Sequence, residues 1–261
     1  MKLKIMTSNI WGDYFGNPVD VREDGIFEVI EKYSPCVVGF QEVTKGWHES
    51  RLFTGALRKS YRFVGTETDG CENYVPFIFG KDIGFSYISK GYELLENTPD
   101  LSKAITWAVF KSKEGDVRFA VCNTHFWWKT GPEHDIVREQ NAKQLANLMK
   151  NLHERYACPV FAFGDMNCTR SSSVFDIYAS YGIVHLSDIA QSVYGTASCH
   201  GDPVLGEDGK YHGKVDTRPI ECSIDHIVVL GDVNVLEYKI IDDKCVLDST
   251  DHSPVMATVE L

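Results

Sequence analysis

Short apolar runs bounded by Gly, Pro and Asp alternate along the chain with a few segments of helical spacing, which predicts many strands and few helices. Residues 2–10 read as a first strand. Residues 36–42 and 160–163 are apolar without alternation, as in strands buried on both faces. Ile26, Val29 and Ile30 give residues 21–33 a helical face until Ser34-Pro35 ends it. Thr44 is suited to cap a helix reaching Leu57, with Trp47, Leu52 and Leu57 inward. Segments 61–66, 74–79, 84–95, 104–113 and 117–126 follow one another with little but turn residues between them, so antiparallel neighbours are expected. Gly131-Pro132-Glu133 opens the best-marked helix: proline suits its first position, and Glu133 and Asp135 complement its dipole. Leu145, Leu148, Met149 and Leu152 supply its core face. A further helix is predicted at 173–181, and strands at 224–230, 233–241 and 255–261. Between them, 195–219 is a polar, Gly-rich stretch too long for a routine connection, expected either to face substrate or to move.

Composition changes this picture little. The 261 residues, 43% hydrophobic and 24% charged, suffice for a full core. No segment resembles a linker or a repeat, so one domain spanning 1–261 is expected. No apolar stretch nears the roughly 20 residues of a membrane span. The first residues are too polar for a secretory leader, although one removed earlier stays open. The eight cysteines stand singly without a CxxC pair, which argues for reduced thiols and a cytoplasmic protein. Charge is more telling. Lys plus Arg number 26 against 37 Asp plus Glu, a formal −11. Proteins that grip a long polyanion show a basic stripe, and none is present, so nucleic acid is a possible partner that charge does not favour.

Polar residues recur where strands end. Asn9 and Glu42 close the first two buried strands, and His125 follows 119–124. Asp165 and Asn167 follow 160–163 on alternate positions, hence on one side. Asp225-His226 interrupts a later apolar run, and Asp251-His252 precedes the last. Each alone reads most simply as a cap, a turn or a satisfied buried residue; as a set they are expected to meet in one cleft. Carboxylate and carboxamide oxygens suit Mg²⁺, with Mn²⁺ the alternative. Histidines lacking cysteine partners suit proton transfer, and an Asp beside a His fixes its tautomer. Together these make a site for hydrolysing phosphate esters. Ser-His-Asp acyl chemistry is the weaker reading, because no Gly-x-Ser-x-Gly elbow is present.

With Thr7-Ser-Asn9-Ile-Trp11, Gln41-Glu42-Val43, Asn123-Thr-His125, Gly164-Asp165-Met-Asn167, Ser223-Ile-Asp225-His226 and Thr250-Asp251-His252-Ser-Pro254 in this order, the chain resembles the endonuclease/exonuclease/phosphatase family, the superfamily of deoxyribonuclease I. The resemblance implies a four-layer α/β sandwich, two mixed β-sheets packed face to face with helices outside. It implies Glu42, Asn9 and Asp251 around the metal, and Asp165 and Asn167 at the attacking water. His252, oriented by Asp225, and His125 would act at the phosphate or leaving group; the general base stays open. Lys103 stands where many relatives carry Arg, which loses a bidentate fork. Arg138 resembles a family arginine facing the site, with a surface ion pair as the alternative. Trp127-Trp128 would stack on a ring or simply pack, and His200 would face substrate. The expected activity is a metal-dependent hydrolase acting on a small or soluble phosphodiester or phosphomonoester. A nuclease, a sphingomyelinase-like lipid phosphodiesterase and a non-catalytic binding protein are the alternatives, in that order.

Overall fold

The structure, a computed structural model, describes residues 1–65 and 73–261. β1 (Lys2–Asn9), α1 (Glu23–Tyr33) and β2 (Val37–Gln41) come first, followed by α2 (Lys45–Glu49), a wide helical turn at Leu52–Ala56, and α3 (Leu57–Ser60). β3 (Tyr61–Val64) pairs antiparallel with β4 (Phe77–Gly80). β5 (Phe85–Leu94), β6 (Ala104–Ser112) and β7 (Arg118–His125) form the expected antiparallel run. α4 (Pro132–Tyr156) crosses over to β8 (Val160–Asp165), which lies parallel to β7. Then come α5 (Ser173–Ser180), β9 (Ile183–His185), α6 (Leu186–Ile189), β10 (Val193–Tyr194) and the small hairpin β11 (Val204–Leu205) and β12 (Tyr211–His212). β13 (Asp225–Leu230), β14 (Asn234–Ile240), α7 (Lys244–Leu247) and β15 (Val255–Glu260) complete the order.

These strands make two large mixed sheets. One has seven strands in the order β10-β14-β15-β1-β2-β4-β3; the other has six, β5-β6-β7-β8-β13-β9. Three apolar cores separate four layers. Between the sheets, Ile5, Val37 and Phe77 meet Phe110, Val121, Phe161 and Phe163. α4 and α5 cover the outer face of the six-stranded sheet through Leu145, Met149 and Val174 against Val160 and Ala162. α1 and the 45–57 region cover the other through Ile26, Ile30, Trp47 and Phe53 against Met6, Val38 and Phe40. The sandwich implied by the resemblance is the observed architecture.

Departures from the predicted elements have local causes. The helix expected over 44–57 breaks at Ser50, which is extended, and its Oγ donates to the Trp47 carbonyl while accepting from Phe53 N. Leu52 N is drawn instead to Glu23 Oε2 at 3.0 Å. The strand expected from Tyr74 begins at Phe77, since Pro76 has no N–H for the ladder. Part of the 61–66 prediction, Thr66, lies outside the described residues. The stretch 195–219 is neither plain loop nor free of the body. It holds the β11–β12 hairpin, and Tyr211 packs edge-on against Trp11 at 5.5 Å.

A polar seam runs through the apolar middle, one step below the strand ends. Gln41 Nε2 donates to Asn123 Oδ1 at 2.6 Å and to Thr7 Oγ1 at 3.0 Å, and all three residues are fully buried. Asn123 Nδ2 in turn donates to the carbonyls of Phe40, Val75 and Pro76. One side chain of β7 thus holds β2 and the segment leading into β4. Gly39 lets it approach, because a Cβ there would meet Asn123 Oδ1 at 2.5 Å. Asn123→Ala strands these buried acceptors and the Gln41 amide, and should lower the unfolding free energy by roughly 3 kcal/mol. Urea unfolding reads this directly; a midpoint equal to wild type would refute it.

Candidate active site

Five residues other than glycine have positive φ among those described: Trp11, Ser34, Glu42, Ala157 and Asn167. Ser34 and Ala157 are ordinary left-handed ends of α1 and α4. The other three lie one or two residues past the ends of β1, β2 and β8. At Glu42 (φ 61) the turn breaks the alternation of β2, so that consecutive residues Gln41 and Glu42 both reach inward partners. Such positions cost about 1–3 kcal/mol each and persist where surrounding contacts enforce them. Gly164 enforces a further close approach: a Cβ there would meet the Thr124 carbonyl oxygen at 1.9 Å.

Asn9, fully buried, joins the two sheets. Its Nδ2 donates to Glu42 Oε1 at 3.2 Å and to Asp165 Oδ2 at 3.1 Å, and its Oδ1 accepts from Trp11 N. Glu42 Oε2 accepts from Gly12 N at 2.8 Å. Asp165 Oδ1 accepts from Asn167 N at 2.9 Å, while Asn167 Nδ2 donates to the Phe126 carbonyl. Across from Asp165, His252 Nδ1 meets Asp225 Oδ2 at 2.7 Å and leaves Nε2 3.9 Å from both Asp165 Oδ2 and Asp251 Oδ2. The Asp225 carboxylate is itself held by Ser198 Oγ at 2.6 Å. His125 Nε2 lies 2.8 Å from Lys103 Nζ and 3.4 Å from Asp165 Oδ2. Residues from five strand ends and the turn before β15 therefore share one centre.

Burial in this centre sets its electrostatics. Asp165 is pushed up to about 7 by burial and then by Asp225, against the pull of His252, the Asn167 amide and Lys103. A carboxyl poised there can take a proton near neutral pH. Burial works against charge on His252, but Asp225 and Asp251 outweigh it and hold the imidazolium well above its usual range. Burial and the Lys103 ammonium push His125 far down, so that ring is neutral. Asp251 rises to about 6, through burial first and Glu42 after it.

The residues fit a divalent cation. Glu42 and Asp251 offer hard carboxylate oxygens and Asn9 an amide oxygen that also accepts from Trp11 N, in a centre where burial first and neighbouring carboxylates second push Asp251 and Asp165 up. Asp165, Asp225 and His252 also bring ligand-type atoms within 4.8 Å of one another. In that trio His252 Nδ1 and Ser198 Oγ occupy Asp225 Oδ2, whereas Asp225 Oδ1 is buried without a hydrogen-bond partner.

Other expected residues sit further out. Arg138 is buried, yet its NH1 donates to the carbonyls of Trp127 and Lys129 and its NH2 to Asp135. Through these bonds it anchors the loop after His125, combining the ion pair with a packing role, while its buried Nε has no hydrogen-bond partner. Trp127 is buried and bonded through Nε1 to His134, whereas Trp128 is 55% exposed with Lys129 beside its ring. Of the pair, Trp128 is the ring free to stack. His200 N donates to the Asp251 carbonyl, and its ring, pushed down to about 4 by burial and then by His252, has no hydrogen-bond partner. Ser198 escapes a reading of the sequence, since it lies inside the polar 195–219 stretch with nothing to distinguish it from neighbouring hydroxyls. Residues 66–72 lie outside the described residues.

The profile of the Endonuclease/Exonuclease/phosphatase family matches residues 6–252. A search of curated proteins finds no match. Similar solved structures include an endonuclease/exonuclease/phosphatase from Bacteroides vulgatus (22% identity, 100% of this chain and 99% of that one, TM-score 0.78). A mannosyl-6-phosphatase from Bacteroides thetaiotaomicron superposes at TM-score 0.73 with 20% identity, covering 99% and 100% of the two chains. The human nocturnin catalytic domain with bound sulfate gives 0.71 at 18% identity, over 99% and 94%. At these identities the likeness is one of fold. No helix among the described residues is long and apolar enough to cross a membrane.

The Asp251 shift yields a signed prediction. Its native pKa of about 6 lies above the unfolded value, so the penalty for its charge is full above about 6 and is relieved as pH falls toward about 4. With chelator present near pH 8, Asp251→Asn should be more stable than wild type by about 1–3 kcal/mol, the gap closing below about pH 6. Denaturant midpoints across that range check it. A variant no more stable than wild type near pH 8 would contradict the assignment.

Proposed function

The chain belongs to the endonuclease/exonuclease/phosphatase family, whose members are divalent-metal-dependent phosphoesterases, and on that premise we propose a Mg²⁺-dependent hydrolase that cleaves a small or soluble phosphodiester or phosphomonoester by in-line attack of water. The observation that carries the reading is the opposition of Asp165 and His252. A carboxyl poised near 7 faces an imidazolium held charged by Asp225, with Asn9 tying Asp165 to Glu42 from the other sheet.

Asp165 accepts the proton of the attacking water, and the amide of Asn167 beside it orients that water. His252 presents Nε2–H to a phosphate oxygen, where its charge offsets the negative charge gathering in the transition state. The ring's charge and orientation are set from behind, by Asp225 on Nδ1 and Ser198 on Asp225. His125 is kept neutral by burial and by Lys103, and the pair binds phosphate or assists the departing oxygen. Glu42, Asn9 and Asp251 are the residues to hold Mg²⁺, which when bound supplies Lewis-acid neutralisation of phosphate oxygens.

The formal charge of −11 supports a compact substrate over a long polyanion. Among the similar folds, the mannosyl-6-phosphatase supports a phosphomonoester. Nuclease action is the alternative that the same centre would serve. A panel of phosphomonoesters and phosphodiesters, assayed with and without chelator, should show divalent-dependent turnover. Asp165→Ala and His252→Ala should each lower kcat by about 10²–10⁴-fold while circular dichroism is unchanged. Wild-type protein inert toward both ester classes with every divalent ion would replace this reading with that of a binding protein.

A further inference from the structure

Arg22 is fully buried immediately before α1, and its guanidinium bonds to no carboxylate. Its hydrogen bonds all run to main-chain carbonyls: Nε to Pro18 at 3.0 Å, NH1 to Ile10 at 3.0 Å and Ser249 at 3.1 Å, NH2 to Asn17 at 3.2 Å. The plane lies between indoles, 4.8 Å from the Trp11 ring and 5.1 Å from the Trp47 ring. Burying an arginine without an anion is costly, and a fold has cheaper ways to fill the space.

Its acceptors explain the position. Ile10 follows Asn9. Ser249 lies two residues before Asp251, and Thr250 between them donates through Oγ1 to the Asn9 carbonyl at 2.8 Å. Asn17 Nδ2 donates to the Gly12 carbonyl, and Gly12 N donates to Glu42 Oε2. Trp47 Nε1 closes the ring on the Trp11 carbonyl. One guanidinium therefore bonds directly to the chain beside Asn9 and Asp251, and through Asn17 and Gly12 it reaches Glu42. A planar fork with several fixed donors can pin these segments at once; an ammonium on a flexible stem cannot.

We propose that Arg22 is a positioning residue for a divalent cation, presetting Asn9, Glu42 and Asp251 from behind by clamping the main chain of the loops that carry them. The proposal rests on the reading of those three residues as the cation's holders. Arg22 acts in two opposed ways. Its fork favours cation binding by pre-arranging the donors, whereas its charge opposes binding by repulsion, so the two must be separated experimentally.

Arg22→Lys keeps the charge and loses the fork. It should melt cooperatively, and its dissociation constant for Mn²⁺, read from the electron paramagnetic resonance of free Mn²⁺, should rise about tenfold. With an aryl phosphodiester, kcat should fall while KM stays within about twofold. Val29→Ala, a buried truncation on the same helix, should lower the melting temperature and leave Mn²⁺ affinity at the wild-type level. Arg22→Lys binding Mn²⁺ as wild type does, or Val29→Ala losing as much affinity, would overturn the clamp while leaving the site reading intact. Wild type that binds no Mn²⁺ would overturn the site reading and the clamp with it.

Discussion

The Asn9 amide donates to a carboxylate from each side of the sandwich, Glu42 after β2 and Asp165 at the end of β8. Two sheets can close over polar strand ends only when each buried group finds a partner across the gap. Just beneath, Thr7, Gln41 and Asn123 satisfy one another at the same junction. The pattern follows strand periodicity: Thr7 and Asn9 are two apart on β1, Asn123 and His125 two apart on β7, so the structural pair and the chemical pair share faces. Fold and site are secured by successive layers of one set of strands.

That arrangement leaves an electrostatic debt. Glu42, Asp165, Asp225 and Asp251 gather in low dielectric around His252 and Lys103, and burial first, then the neighbouring carboxylates, push Asp165 and Asp251 up. A divalent cation is the natural complement. Asp225 differs from its neighbours because His252 and Ser198 hold it ionised, its carboxyl lowered although burial alone would raise it. Carboxyls close together thus take separate duties, one fixed as an anion and one ready to accept a proton.

Most of the strands were legible because apolar runs ending in turn residues survive folding with few changes. The strand-end polar residues were legible for the same reason: a carboxylate or carboxamide at the close of a buried run is conspicuous. Order along the chain then gave the set its meaning. What stayed hidden depends on distant segments. Ser198 matters only because Asp225 comes to it from 27 residues away. Arg22 reads as a surface residue entering a helix until Ser249, remote in sequence, supplies a carbonyl. The helix over 44–57 has suitable spacing, but Glu23 from α1 takes the Leu52 amide and Ser50 turns the chain outward. Trp127 and Trp128 are identical neighbours in sequence, and only packing against α4 distinguishes the buried ring from the open one.

β1 lies inside its sheet between β2, an early partner, and β15, a partner distant in sequence. Asn9 and His252 therefore enter the same centre from segments far apart in sequence. A nascent polypeptide emerging from the ribosome holds Asn9, Glu42, His125 and Asp165 long before it holds Asp251 and His252. Until then β1 has one open edge and the acids lack their imidazolium. The charged set at the centre is complete only once Asp251 and His252 have joined it.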